Sequence, residues 1–406
     1  MPNTGPNNTS QPRVAITGMG IISAIGNSVD ENLSALLASE SGIGTIQHIN
    51  TNHKQQIQVG EVRYSNSELA EILQLPSTNN YTRTALLGTI AATEAVQQAG
   101  KLSNASRVGL ISATTVGGMD QTERYYKEFT SRPEVQHFIS SHHAGDSTQK
   151  IATQLDITGY VTTISTACSS AANAIMLGAR LIRAGKLDRV VVGGTDPLSK
   201  FTINGFKSLM ILSDEACAPF DANRKGLNLG EGAAYLVLES EEIAKKHHHS
   251  VLAYVSGYGN ANDAFHQTAS SETGEGAYLA MKQAINLAGL TTSDINYVNA
   301  HGTATLNNDL SESVALSRLF GKQVPAFSST KTFTGHTLAA AGALEAVFSV
   351  MALQQQKIFA NLNWENTMPE TNLRPVTKLQ QQTLSHVLSN SFGFGGNCSS
   401  LLLSRS

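Results

Sequence analysis

The stretch Thr163–Gly185, TISTACSSAANAIMLGARLIRAG, places a cysteine at the turn between a strand and a helix. Residues 159–166 are rich in β-branched side chains and predict a buried strand. After Cys168, the residues Ala171, Ala172, Ile175, Met176, Ala179 and Ile182 recur at helical spacing until Gly185 stops the helix. A thiol at that junction meets the unpaired N–H groups and the positive dipole end of the helix, which favour thiolate. A buried free cysteine is the competing reading, since the small residues Ser169–Ala172 also suit tight packing. Both readings stand on this stretch alone.

Working outward, the 406 residues are enough for two or three domains. With 34 glycines and only 6% aromatic residues, the composition suits close helix-on-sheet packing in an α/β protein. A net charge of −3 without a long basic run argues against nucleic acid or anionic membrane as a principal partner. The three cysteines, Cys168, Cys217 and Cys398, form no C-x-x-C pair, which argues against a disulfide framework or zinc ribbon and for a reducing compartment. MPNTGPNNTSQP lacks the features of a signal peptide, and no apolar run reads as membrane-spanning. The expectation is a soluble cytoplasmic enzyme whose residues 1–12 are a disordered tail.

Gly18-x-Gly20, after a short apolar strand, resembles the start of a dinucleotide fingerprint, but the later glycine and acidic residue fall at the wrong spacing. Strands are predicted over 56–62, 108–112, 189–194 and 233–239, with an Ala-rich helix over 82–98 and a loop over 196–231. The irregular segment 120–148 reads as an insertion that covers a site or makes a subunit contact. Lys245-Lys-His-His-His249 reads as a solvated helix face, since consecutive histidines point in different directions and do not converge on one metal ion. From 251 the order of elements repeats: strands over 251–257, 296–300 and 326–330, helices over 276–288 and 309–319. A long helix then runs from Lys331-Thr-Phe-Thr-Gly-His336 to Gln356.

STACSSAANAIMLGA (165–179) and FTGHTLAAAGALEAV (333–347) share one pattern: strand, small turn, reactive side chain, helix of small residues. A duplicated α/β unit follows, which brings Cys168 and His336 to one central junction. His301, in the HGTAT loop, sits at a third such junction. Singly, each histidine fits a satisfied core residue. With the cysteine they supply a thiol and two imidazoles, the parts for an acyl-thioester followed by carbanion chemistry. The glycines of Asn390-Ser-Phe-Gly-Phe-Gly-Gly396 add backbone N–H groups able to face an oxyanion.

TACSSAANAI, NAHGTAT, STK with GHTLAAAGALEA, and NSFGFGGN together resemble the signature motifs of elongating β-ketoacyl-acyl carrier protein synthases, from about Arg13 to the C-terminus. The resemblance implies the thiolase fold, duplicated α/β halves in a five-layered α-β-α-β-α arrangement, with halves at 13–250 and 251–406. It implies a decarboxylating condensation of malonyl-carrier protein with an acyl chain held on Cys168, with His301 and His336 stabilising the enolate. Lys331 and Glu345 match a supporting ion pair; the N–H groups of Cys168 and Phe394 match an oxyanion hole. Thr303 and Thr305 match phosphopantetheine contacts, Phe394 a gate, and Val116 with Phe394 the acyl pocket. No cofactor or metal is implied, since phosphopantetheine arrives on the carrier protein. The implied assembly is a homodimer, with a chain-length-factor heterodimer as the alternative and no nucleic-acid or membrane partner. Leu306 and Asn308 replace the family's usual proline and glycine, while Asp309 and Glu312 remain, and the usual Asp-Arg loop is not clear around Asn80–Thr84. These departures leave open fatty-acid elongation and a dedicated polyene or polyketide pathway. A biosynthetic thiolase, for which Cys398 would be the second thiol, lacks a use for the Lys331–His336–Glu345 set. An initiating synthase would carry asparagine in place of His336.

Overall fold

A computed structural model describes residues 12–100 and 107–406; apart from Pro12, the expected tail lies outside the described residues. Strand β1 (Val14–Ser23) is buried along its whole length, and its two glycines set how closely it is covered. A Cβ at Gly18 would stand 2.1 Å from the Ala95 carbonyl oxygen, and one at Gly20 2.0 Å from that of Ala91. Both carbonyls belong to helix α1 (Arg83–Ala99), capped by Thr82. The Gly-x-Gly pair is therefore a bed for a helix, which explains why its spacing fits no nucleotide fingerprint.

The second half repeats the device. Strand β6 (Ala253–Asn262) carries Gly257 and Gly259, whose added Cβ atoms would lie 2.0 and 2.1 Å from the carbonyl oxygens of Ala284 and Ala280. Those residues lie in α4 (Glu275–Leu287). The other strands of the first half are β2 (Val108–Ala113), β3 (Tyr160–Ile164), β4 (Arg189–Asp196) and β5 (Gly232–Ser240). Those of the second are β7 (Tyr297–Asn299), β8 (Ala326–Ser328), β9 (His386–Phe392) and β10 (Asn397–Arg405). The halves have the same strand order, β3-β2-β4-β5-β1 and β8-β7-β9-β10-β6. In each, the first three of these run parallel and the last two pairings are antiparallel. The duplication read from the sequence is thus present strand for strand.

Helices α2 (Ala144–Gln154) and α3 (Ser170–Arg183) complete the first half, α5 (Leu306–Phe320) and α6 (Ala341–Gln355) the second. The halves join edge to edge where β1 meets β6, Val14 opposite Val255 and Ile16 opposite Ala253, so the ladder wraps around a central layer of α3 and α6. The outer helices close the five-layered thiolase arrangement. In α6 every residue from Ala341 to Leu353 is buried, so its apolar character on all sides reflects a central position. The span Leu338–Gln355 is apolar and long enough to cross a membrane, yet 89% of it is buried inside this fold. Where α3 and α6 touch, a Cβ on Gly342 would stand 2.9 Å from the Ala172 nitrogen.

Several expectations shift. The strand over 56–62 contracts to Gln58–Gly60, and the loop over 196–231 contains a helix, Lys200–Ser208, with a Ser199 capping box. The helix expected from Lys331 onward is broken: Lys331–Thr334 forms one turn, Gly335 turns at φ +69°, and α6 starts only at Ala341. The break follows from crowding, because the Thr334 carbonyl passes both Gly60 and Gly230. His249 does not belong to a solvated face; its Nδ1 lies 2.9 Å from Glu239, which also binds Arg189 in the protein interior.

Gly20→Ala and Gly259→Ala are each expected to cost roughly 2–3 kcal/mol in urea unfolding, since the helix must be pushed off the strand. Gly205→Ala, with open space around it in the Lys200–Ser208 helix, is expected to be neutral or stabilising by up to ~1 kcal/mol.

Candidate active site

Cys168 stands on an elbow between β3 and α3. Ala167 adopts the left-handed conformation at φ +53°, a strained choice for a residue with a Cβ. The Ser170 hydroxyl holds that turn, accepting from the Thr166 N–H (2.8 Å) and donating to the Ala167 carbonyl (2.5 Å). Small residues permit a second chain segment to come close: a Cβ on Gly393 would sit 3.2 Å from the Cys168 nitrogen. The N–H groups of Phe394 and of Cys168 itself face the sulfur.

His301 follows β7 and is held through its backbone. Glu312, on α5, accepts the N–H groups of His301 (2.9 Å) and Gly302 (2.8 Å) and the Asn390 amide (3.0 Å). Burial pushes the Glu312 carboxyl up to about 7 against these lowering bonds. Asp309, one turn earlier, accepts the Ala304 N–H (3.1 Å) and reaches the Phe220 N–H (2.7 Å). His336 is clamped in extended backbone, donating to the Asn228 carbonyl (2.8 Å) and accepting from the Gly230 N–H (2.9 Å).

These supports bring three side chains together. His336 Nε2 lies 3.0 Å from Cys168 Sγ, and the two imidazole rings meet edge to face with centroids 5.4 Å apart. Behind them Lys331 directs its ammonium at His301 Nδ1 (3.2 Å), the His301 carbonyl (2.5 Å) and the Glu345 carboxylate. An ammonium only donates, so His301 Nδ1 must accept and the ring proton sits on Nε2. Among the described residues the buried His336 Nδ1 has no hydrogen-bond partner, so none of them pins the tautomer of that ring. Burial, then the Lys331 charge, holds both histidines well below the usual imidazole range, and both are neutral.

The electrostatics revise one expectation. Burial pushes the Cys168 thiol up to about 11, outweighing the nearby Lys331 charge and the two N–H groups. The resting nucleophile is a thiol whose proton needs His336, not a thiolate set by the helix dipole. The ligand atoms of Cys168, His301 and His336 lie within 4.8 Å of one another, a spacing that would suit a metal ion. However, the proton that Lys331 places on His301 Nε2 removes one lone pair, which leaves hydrogen-bond donors there rather than ligands.

The three groups open onto a cavity of about 230 Å³, whose walls include Thr303, Thr305, Phe392 and Phe394. The Thr303 and Thr305 hydroxyls are 2.9 Å apart, and the Phe394 ring stacks on Phe206 at 5.8 Å. Lys331 and Glu345 sit behind the histidines, outside the walls. Val116 does not line this cavity; it packs in an apolar cluster with Ile57, Leu198, Leu229 and Leu338. Asp196 went unnoticed in the sequence. Its buried carboxylate accepts from Thr114 Oγ1 (2.5 Å) and from the N–H groups of Thr115 (3.0 Å), Val116 (3.1 Å) and Ala339 (2.9 Å), fixing the loop after β2 against the turn before α6. An acid at the end of a strand carries no local sign of such reach.

Two family models match the chain. Residues 11–244 match the family model described as beta-ketoacyl synthase, N-terminal domain, and residues 252–365 match that of the C-terminal domain. A 3-oxoacyl-[acyl-carrier-protein] synthase 2 of Vibrio cholerae is 34% identical, covering 98% of this chain and all of the relative. Among solved structures, the ishigamide ketosynthase/chain length factor superposes with a TM-score of 0.92 at 30% identity, over 98% of this chain and all of that one. A type II polyketide synthase acyl-carrier protein in complex with its ketosynthase, bound to the hexaketide, gives 0.86 at 26% identity, over 98% and 100%.

Lys331→Met is expected to destabilise the fold by about 3–5 kcal/mol in urea unfolding, since it strands the buried Glu345 carboxylate. Adding Glu345→Gln is expected to recover a large part of that loss; an additive double variant would mean that the pair does not interact.

Proposed function

This chain belongs to the β-ketoacyl synthase family, and we propose from that premise a residue-by-residue course for its reaction. It is an acyltransferase of the 3-oxoacyl-acyl carrier protein synthase type. Malonyl-acyl carrier protein condenses with an acyl thioester, releasing carbon dioxide and giving 3-oxoacyl-acyl carrier protein in chain elongation. The observation that carries the reading is the 3.0 Å contact of His336 Nε2 with the Cys168 sulfur, beside a second neutral imidazole.

In the first half-reaction the Cys168 thiol gives its proton to His336 Nε2 as sulfur attacks the incoming thioester carbon. The oxyanion forms against the N–H groups of Cys168 and Phe394, and the leaving pantetheine sulfur takes the proton from His336. In the second, the His336 ring proton moves from Nδ1 to Nε2, and the malonyl thioester carbonyl accepts hydrogen bonds from Nε2–H of His301 and of His336. The carbon–carboxylate bond breaks, carbon dioxide leaves, and the electron pair becomes the enolate that those two donors stabilise. The enolate carbon attacks the acyl thioester, and the tetrahedral intermediate expels the Cys168 sulfur as a thiolate, which takes a proton from water as the product leaves. Lys331 and Glu345 position and neutralise the imidazoles. Thr303 and Thr305 take hydrogen bonds from the phosphopantetheine arm, while Phe394 gates the acyl group; Val116 stands behind the wall, in the apolar cluster whose Ile211 and Leu227 line the cavity. No resident cofactor or metal is required, because the prosthetic arm comes with the carrier. The protein works in the cytoplasm, the halves 13–250 and 251–406 forming one catalytic unit.

Trapping with an acyl-carrier protein is expected to add one acyl group to Cys168 by peptide mass spectrometry. Cys168→Gln is expected to retain malonyl decarboxylation while losing condensation. An acyl adduct elsewhere, or loss of both activities in a folded variant, overturns the scheme.

A second reading concerns the assembly, and strand β3 favours it. One edge of β3 pairs with β2, while the other borders an open groove of about 630 Å³ lined by Val161, Thr162 and Thr163. An open strand edge invites pairing with another chain. A second copy fits a homodimer in fatty-acid elongation; a chain-length factor, named in the ishigamide structure, fits a specialised pathway. Sedimentation of the purified chain is expected to give the mass of two copies. A monomer that becomes a dimer only with a co-expressed homologue supports the chain-length-factor arrangement instead.

A further inference from the structure

The two N–H groups that face the sulfur come from segments far apart in the chain, Cys168 on the elbow and Phe394 in the glycine-rich turn. Local backbone geometry therefore does not set their separation. Packing brings the segments together, since a Cβ on Gly393 would sit 3.2 Å from the Cys168 nitrogen, but contact alone fixes no direction. Among the described residues, no backbone-to-backbone hydrogen bond joins 393–396 to the elbow. The Gly395 N–H donates to the Gln267 carbonyl (2.7 Å), and the Gly396 carbonyl accepts from the Asp263 N–H (2.8 Å), so both bonds tie the turn to the segment after β6.

Asn397, the first residue of β10, joins the turn to the elbow. Its carbonyl accepts the Gly393 N–H (2.9 Å) and closes the turn that carries Phe394. Its Oδ1 accepts from the amide of Asn173 on α3 (2.9 Å) and from that of Asn260 on β6 (2.9 Å), and stands 2.7 Å from the Ser169 hydroxyl. The opposite orientation would set the Asn397 NH2 against two other NH2 groups, so the oxygen is the atom that faces them. Ser169 follows Cys168 directly. Its one proton is shared between Asn397 Oδ1 and the Thr166 carbonyl, also at 2.7 Å. Ser399 completes the cluster, donating to Asn173 Oδ1 (2.8 Å) and accepting from Asn260 (2.9 Å). Apolar side chains at these positions would also pack α3 against β6 and β10. What the amides add is direction, because a connected polar network holds one geometry.

We infer that Asn397 is a positioning residue for acyl transfer: its amide locks the turn bearing Phe394 to the elbow bearing Cys168, and so sets the separation of the two oxyanion donors. The inference rests on the reading that Cys168 accepts an acyl group. Asn397 bonds to neither imidazole, so proton transfer from the thiol to His336 does not depend on it. Donors displaced by about 1 Å are enough to slow a reaction that builds charge between them.

The test compares two reactions of one sulfur in the full-length protein. Acylation by hexanoyl-pantetheine passes through an oxyanion. Alkylation by iodoacetamide displaces iodide at a saturated carbon and forms no oxyanion, yet it needs the same thiol and the same proton acceptor. Asn397→Ala is expected to slow single-turnover acylation about tenfold or more at saturating thioester, with the alkylation rate changed by less than about twofold. Ser169→Ala, which removes the elbow's end of the bridge, is expected to act in the same direction by about threefold or more, and it decides the matter if Asn397→Ala does not fold. Unchanged acylation in a folded variant, or acylation and alkylation falling together, overturns the positioning role while acylation of the parent keeps the condensation reading intact. If the parent takes no acyl group on Cys168, the condensation reading itself fails, and the positioning role with it.

Discussion

The buried ammonium of Lys331 is the constraint on which the site depends. Its three donors are all engaged, by His301 Nδ1, by the His301 carbonyl and by Glu345, and none reaches solvent. Such a charge is costly to bury and is tolerable only with a partner and complete hydrogen bonding. The partner comes from α6, the helix buried on every side, whose one acid among Ala341–Leu353 is Glu345. The pair thus ties the central layer to the loop after β7. Its charge fixes one imidazole tautomer and helps to keep both rings neutral. The cost of the ion pair is set against the placement of two uncharged donors in a dry cavity, where they act at close to full electrostatic strength.

Duplication supplies the scaffold, and its departures supply the chemistry. Both halves begin with a strand whose Gly-x-Gly lies under two alanine carbonyls, and both use the same strand order. The halves differ where α3 and α6 begin. In the first, one left-handed residue, Ala167, turns the chain directly into the helix and leaves Cys168 at its mouth. In the second, a single helical turn and Gly335 intervene, so His336 projects from extended backbone paired with residues 228–230. A strict repeat would place two like groups symmetrically; the extra turn lets the imidazole reach across to the sulfur.

Much of this was legible in the sequence, for reasons that can be named. Cys168, His301 and His336 stood at element junctions, and periodicity located those junctions because the helices are rich in small residues of strong helical spacing. The order of elements in the two halves exposed the repeat. What escaped detection depends on distance in space. Asp196 acts through loops from both halves of the sheet, and His249 was assigned to solvent because a run of histidines conceals that one of them meets Glu239. The acidity of Cys168 was misjudged for a related reason: the helix terminus is local and readable, whereas the desolvation that outweighs it is the sum of everything packed around the sulfur. Val116 was placed by resemblance alone; it belongs to a cluster whose Phe206, Ile211 and Leu227 reach the cavity wall, while Val116 itself does not.

The protonated thiol has a consequence for the order of steps. With Cys168 pushed up to about 11, sulfur becomes nucleophilic only as His336 takes its proton, so acyl transfer requires a free lone pair on Nε2. Enolate stabilisation requires the opposite, a proton on the same nitrogen. His301 cannot exchange these roles, since Lys331 fixes its proton on Nε2 throughout. His336 can, because among the described residues its Nδ1 has no partner to hold either tautomer. The unsatisfied nitrogen, a defect by the standards of a buried core, leaves the ring able to serve as acceptor before acylation and donor after it. Acyl transfer sends the thiol proton out on the departing pantetheine sulfur, so His336 donates beside His301 only once its remaining ring proton has moved from Nδ1 to Nε2. That exchange of tautomer falls between the two half-reactions, which couples their sequence to the one histidine whose ring proton the described contacts leave free to move.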